Sequence, residues 1–148
     1  MDFDNALDLF QRTLATERSR PDVRAAMHNR NSSVRVRIPF EVTAPEKVAG
    51  LRLRARHDDG FAILLNGQPV ASAQAPATLT WDAAATAINP TRSALEPEEF
   101  DLTSHLALLR PGTNVLAVQW MNASRSNPDF LFLPQLDVAV VADDTGVP

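Results

Sequence analysis

Residues 56–71 read Arg56-His57-Asp58-Asp59-Gly60-Phe61-Ala62-Ile63-Leu64-Leu65-Asn66-Gly67-Gln68-Pro69-Val70-Ala71. Asn66-Gly67 between two apolar runs is the pair a two-residue hairpin turn selects, because both central positions take positive φ. Phe61 to Leu65 are apolar without alternation, which predicts a central strand covered on both faces, and Pro69-Val70-Ala71 return from the hairpin. Upstream, His57-Asp58-Asp59-Gly60 has the chemistry of a tight turn, with Gly60 expected at positive φ.

Outward from this hairpin the period stays at two. Leu51, Leu53 and Ala55 alternate with Arg52, Arg54 and Arg56, and Val34, Val36, Ile38 and Phe40 alternate with Arg35, Arg37 and Pro39. Both read as half-buried strands. Downstream, Phe100 to Thr103 suits a short strand and Ser104 to Leu109 a helical turn. Pro111-Gly112 fits the central positions of a type II turn. Three more apolar runs follow, at residues 115–121, 130–133 and 136–141. Seven or eight strands with no helical alternation predict an all-β chain, an antiparallel β-sandwich of Greek-key or jelly-roll type. Residues 72–98 are rich in Ala, Pro, Ser and Thr around one bulky anchor, Trp81. A connection that long is usually functional or mobile.

The expected organisation is a short N-terminal helical segment over 1–21, a sandwich over 22–141 and a tail over 142–148. Phe3, Leu7, Phe10 and Leu14 make one apolar stripe at helical spacing, and Pro21 ends the pattern. Such a segment is marginal alone in water and must lean on the sandwich, a partner or a neighbouring domain.

The chain has 148 residues, which fits one domain, and a net charge of -4. Lys47 is the only lysine among 14 basic residues, so a basic patch for nucleic acid is not expected. There is no cysteine, which excludes disulfides, a thiol nucleophile and a Cys-based zinc site. No run reaches the roughly 18 apolar residues of a membrane helix. Met1-Asp2-Phe3-Asp4 lacks the basic-then-apolar pattern of a secretory signal, so the expectation is a cytoplasmic protein or a piece of a longer exported one.

Four stretches carry a resemblance to a known family: Arg56-His57-Asp58-Asp59-Gly60-Phe61, Leu65-Asn66-Gly67-Gln68-Pro69-Val70-Ala71, Phe100-Asp101-Leu102, and Leu109 through Val118. Together they resemble the galactose-binding-domain-like jelly roll, as in the sugar-binding domain of β-galactosidase-type glycoside hydrolases. The chain also resembles accessory β-sandwich modules of large exported bacterial proteins, through Asn122-Ala123-Ser124 and Asn127-Pro128-Asp129-Phe130-Leu131-Phe132-Leu133-Pro134-Gln135-Leu136. The likeness covers residues 22–140. The chain departs from the pattern at His57 and Arg35, where the family has tyrosines. The resemblance implies a non-catalytic accessory module of carbohydrate-binding-like character within a larger protein. It also implies an extracellular or cell-surface setting, with carbohydrate or neighbouring domains as partners. The alternative is a structural spacer or protein-interaction domain with no small ligand.

Trp81 and Trp120 are the candidate sugar platforms, since a sugar's C–H face stacks on an aromatic ring. Asp82, Asn89 and Asn122 would bind its hydroxyls. Trp120 also reads as a core residue of its strand, and Trp81 as a pin for its loop. Asp58-Asp59 suits a calcium ion, but calcium requires several further oxygen ligands. The competing reading is a turn whose carboxylates accept backbone N–H groups. Catalysis has little support. His28, His57 and His105 lack metal-ligand spacing, Ser104 and His105 do not face one another on a helical turn, and Glu96, Glu98 and Glu99 read as a solvated rim. Arg35, Arg37, Arg52, Arg54 and Arg56 would form a cationic ladder for an acidic polysaccharide if their two strands pair. Otherwise they form a solvated face with intramolecular counter-charges.

Overall fold

The period-two stretches become strands. The computed structural model describes residues 24–141, in which β1 spans Ser33–Val42, β2 Val48–His57, β3 Gly60–Leu65, β4 Gln68–Ala73, β5 Glu98–Asp101, β6 Gly112–Met121 and β7 Phe132–Val140. One sheet has the order β1-β6-β3-β4 and the other β5-β2-β7, and every pairing is antiparallel. The chain is an all-β antiparallel sandwich. Among the described strands only β3 and β4 are joined as a hairpin; each other connection passes from one sheet to the other, as in a jelly roll. The helical segment expected over 1–21 and the tail over 142–148 lie outside the described residues. No helix among the described residues is long and apolar enough to cross a membrane.

The turns follow their residues. Asn66 and Gly67 have φ of 49° and 86°, and Gly112 of the Pro-Gly pair has 89°. The corner between β2 and β3 differs from expectation. Positive φ falls on Asp59 (58°) rather than on Gly60, because Asp tolerates the left-handed region through local hydrogen bonding. Gly60 is needed for space. A Cβ there would stand 2.7 Å from the carbonyl oxygen of Gln74 and 2.9 Å from Ala85 Cβ.

The main core lies between the sheets, with Leu51, Leu53, Phe61, Ile63, Leu65 and Leu116 almost wholly buried. Each contributes about 1.5–3 kcal/mol on leaving water. Phe61 meets Phe100 and Phe132 at centroid distances of 5.4 and 5.3 Å, which ties β3 to both edges of the opposite sheet. The other face of β3 carries Ala62. It packs with Met121 of β6 under Ala83 and Ala85 of the long connection, a second and smaller apolar layer. That layer is why β3 is apolar on both sides, and it makes the Ala-rich connection a packed cover.

Two other expectations change. The runs at 130–133 and 136–141 are not separate strands: residues 132–140 form the single strand β7. It passes through Pro134, which an edge strand tolerates because its missing N–H is not needed on the open side. The cationic ladder does not form, because β1 and β2 lie in different sheets. Arg52 and Arg54 instead surround the buried Asp137 at 3.3 and 2.9 Å, and Arg52 also reaches Glu99 at 3.5 Å. Arg35 Nε donates to Gln119 Oε1 at 3.2 Å.

Candidate functional site

The long connection is fastened to the four-stranded sheet on either side of Trp81. Gln119 Nε2 donates to the carbonyl of Thr80 at 2.7 Å, and Ser33 Oγ donates to the carbonyl of Ala83. Asp82 Oδ1 accepts the N–H groups of Ser32 (2.6 Å) and Ser33 (3.2 Å), while its other oxygen meets Arg125 at 2.8 Å. Burial by itself would raise the Asp82 carboxyl, but those two N–H groups and the Arg125 guanidinium outweigh it and hold it below the usual carboxylate range. Asp82 is thus a mounting bolt for the loop. Trp81, between these anchors, is 71% exposed. A fixed backbone carrying an exposed ring gives a flat apolar face whose ordering cost is already met by the fold.

Trp120 is placed elsewhere. Its ring stacks on Phe130 at 4.2 Å with 3° between planes and tilts against Phe132 at 5.4 Å. It packs partly buried against the main core, so the two tryptophans do not make one platform. Asn122 is also buried. Its N–H donates to the carbonyl of Ser32 and its own carbonyl accepts from Ala85, both bonds that hold the cover layer in place.

Asn89, Asp58 and Asp59 gather at the β2–β3 corner. The Asp59 carboxylate accepts the N–H of Asn89 (3.1 Å), the N–H of Ala123 (2.7 Å) and Asn127 Nδ2 (2.8 Å). Asn89 Nδ2 donates to the carbonyl of His57 at 2.7 Å. One wholly buried carboxylate therefore joins the long connection, the β6–β7 loop and the corner. Two of the three Asp59 donors are backbone N–H groups, as in the turn reading, but they come from distant loops and not from the corner itself. Among the described residues no group of three or more His, Asp or Glu side chains is arranged to hold a metal ion. Asp58 is pushed up to about 6, first by burial and then by the neighbouring carboxylates of Asp59 and Asp129.

Beside this corner lies an open cleft of about 540 Å³, lined by His57, Asn89, Ser93, Glu96 and Glu98 among others. His57 is buried, with Nδ1 2.9 Å from the carbonyl of Asp59 and Nε2 3.0 Å from the Glu98 carboxylate. The ring also packs edge-on against Phe61 at 4.9 Å. His57 thus fills a packed and hydrogen-bonded place at the corner. Sequence reasoning missed Gln119 and Arg125, because each lies about forty residues from the loop it fastens and no local pattern marks that distance.

No family model matches this chain, and no curated protein does. Among solved structures, it is similar to a Streptomyces avermitilis α-L-rhamnosidase complexed with L-rhamnose. The TM-score is 0.54 at 21% identity, over 74% of this chain and 9% of that one. A β-D-mannosidase from Dictyoglomus thermophilum aligns at a TM-score of 0.39 and 19% identity, over 62% of this chain and 9% of that one. The first likeness supports the sandwich fold. This chain spans less than a tenth of the length of either enzyme.

Proposed function

We propose that this chain is a non-catalytic accessory module of a larger protein, with carbohydrate-binding-like character centred on Trp81. The observation that carries this is the exposed indole held between anchored backbone groups at Thr80, Asp82 and Ala83. A surface Trp exposes an apolar ring that most soluble surfaces keep covered, and a sugar's C–H face is a fitting partner for it. The likeness to a small portion of a glycoside hydrolase supports the accessory role. Asp82 and Asn122 act in this reading by positioning the loop, and Asn89 lines the neighbouring cleft.

Affinity electrophoresis through gels containing neutral plant and bacterial polysaccharides tests the proposal. At least one polysaccharide should retard the native chain, and Trp81→Ala should migrate freely at unchanged thermal midpoint. Equal retardation of the two proteins, or none for the native chain across the panel, would overturn it. A second reading, a spacer packed against neighbouring domains, is favoured by the exposed apolar side chains Leu133, Val140 and Val141 on and beside β7. No retardation of the native chain, together with association to a neighbouring domain that is lost on changing those residues, would support that reading instead.

A further inference from the structure

A second cleft, of about 520 Å³, lies at the other end of β3, beyond the Asn66-Gly67 hairpin. It is lined by Gln68, Pro69, His105, Leu108 and Arg110 among others, and no acidic side chain borders it. The contrast with the first cleft is one of charge: Glu96 and Glu98 line that one, whereas this one offers a guanidinium and an imidazole. Among the described residues no carboxylate pairs with Arg110, nor with Arg30, Arg35, Arg37 or Arg56, and of these five Arg110 is the one that lines this cleft. An unpaired cation in a concave site of an acidic chain is an unspent electrostatic attraction for an anion.

The wall of this cleft is set before any ligand arrives. Asn114, wholly buried, accepts the N–H of Arg110 at 2.9 Å and donates to the carbonyl of Arg110 at 2.8 Å. Asn66 Nδ2 donates to the carbonyl of Leu108 at 2.8 Å and to Asn114 Oδ1 at 2.8 Å. The segment carrying Leu108 and Arg110 is therefore clamped at both residues, which lowers the ordering cost of binding. A guanidinium matches a carboxylate through two parallel hydrogen bonds. Pro69 and Leu108 supply apolar surface, and the Gln68 amide supplies both a donor and an acceptor for hydroxyl groups.

We infer that this cleft binds the carboxylate of an acidic sugar, with Arg110 and His105 at the carboxylate, Pro69 and Leu108 under the ring, and Gln68 at its hydroxyls. The inference is independent of Trp81, which lies on the long connection. Titration of the 15N-labelled chain with sodium glucuronate, glucose and sodium sulfate, followed by two-dimensional NMR, tests it. Glucuronate should saturate shifts at Gln68 and across residues 105–110, with millimolar affinity; glucose should not, and sulfate should bind more weakly. Arg110→Gln should weaken glucuronate at least tenfold, whereas Arg37→Gln, a charge lost from the exposed part of β1, should leave it unchanged. Equal response to glucose, an unaltered Arg110→Gln titration, or shifts spread around Arg35 and Arg37 would overturn the site. Sulfate binding as tightly as glucuronate would overturn the sugar and leave a bare oxyanion site. Because the shifts are read at Gln68 and residues 105–110, and Trp81 does not line this cleft, failure of this inference leaves the Trp81 reading standing, and the converse holds.

Discussion

Asn66 donates from Nδ2 to Oδ1 of Asn114 at 2.8 Å, so the hairpin residue and the buried strand residue share one side-chain bond. The pair is satisfied on every side. Asn66 Oδ1 accepts from Val115 N–H at 2.9 Å, and Asn114 Nδ2 donates to the carbonyls of Arg110 and Gly112. Leucine at 114 has the same branched outline, though it is bulkier, and leaves the Arg110 N–H and two carbonyls without their partner. Each buried polar group so stranded costs about 1–3 kcal/mol. Asn114→Leu should therefore lose at least ~3 kcal/mol in urea denaturation, with a fall of about 10 °C in Tm. A loss under ~1 kcal/mol would show that water replaces the amide.

Gly60 and Gly67 predict opposite mechanisms for the same substitution. Alanine at 67, where φ is 86° and nothing lies within 4 Å, incurs only backbone strain of about 1–2 kcal/mol. Alanine at 60 meets the Gln74 carbonyl at 2.7 Å and Ala85 Cβ at 2.9 Å, and a backbone oxygen cannot rotate away. Gly60→Ala should cost about 3 kcal/mol by overpacking. Adding Ala85→Gly should recover only part of that, since the clash with Gln74 persists. Full recovery in the double variant, measured by chemical denaturation, would place the whole cost on the alanine layer.

The strands were legible because their chemistry is local. Alternation at 34–40 and 51–55, the Asn66-Gly67 turn and the Pro111-Gly112 turn each depend on neighbours in sequence. What was not legible is where sheets part. Arg35 and Arg52 sit in identical alternating patterns, yet they lie in different sheets because β1 pairs with β6 and β2 with β5 and β7. No period distinguishes those partners. The same limit hid the role of the Ala-rich connection. Ala83 and Ala85 carry no signal of burial until Met121 and Ala62 are known to lie beneath them. For the site, the exposed Trp81 could be read from its loop context, whereas its fastening by Gln119 and Arg125 depends on contacts that only the fold creates.

The loop mount and the ring it carries should separate energetically. Trp81 is exposed, so Trp81→Ala should change stability by less than ~0.5 kcal/mol. Asp82→Ala strands the N–H groups of Ser32 and Ser33 and unpairs Arg125, with an expected cost of about 2–3 kcal/mol. Asp82→Asn retains an acceptor for the two N–H groups and should fall between them. A costly Trp81→Ala would mean that the indole pins the loop instead of presenting a face.

Asp58 gives the chain a pH dependence of defined sign. Its carboxyl titrates near 6 in the folded chain against an ordinary value of 3.8, with burial the chief cause and the Asp59 and Asp129 carboxylates adding to it. Between those two values the folded chain keeps a proton that the unfolded chain has released. Folded protein then binds more protons, so stability falls as pH rises through this window and stays lower above it. Asn at 58 carries no charge to place beside Asp59, and its amide still donates a hydrogen bond. Asp58→Asn should be more stable than the native chain at pH 7.5 by on the order of 1–2 kcal/mol. At pH 3.5 the difference should shrink to about 0.2–0.3 kcal/mol, because the native side chain is then neutral in the folded chain and mostly neutral in the unfolded one. Asp82, held below its ordinary range, acts with the opposite sign: its contribution is present above the ordinary value and disappears as pH falls through the lowered one. Paired urea titrations of the native chain and Asp58→Asn at both pH values decide the matter, since the Asp82 contribution cancels in the difference. A gap that is the same at pH 3.5 and 7.5 would remove ionisation of the buried Asp58 carboxyl as its cause.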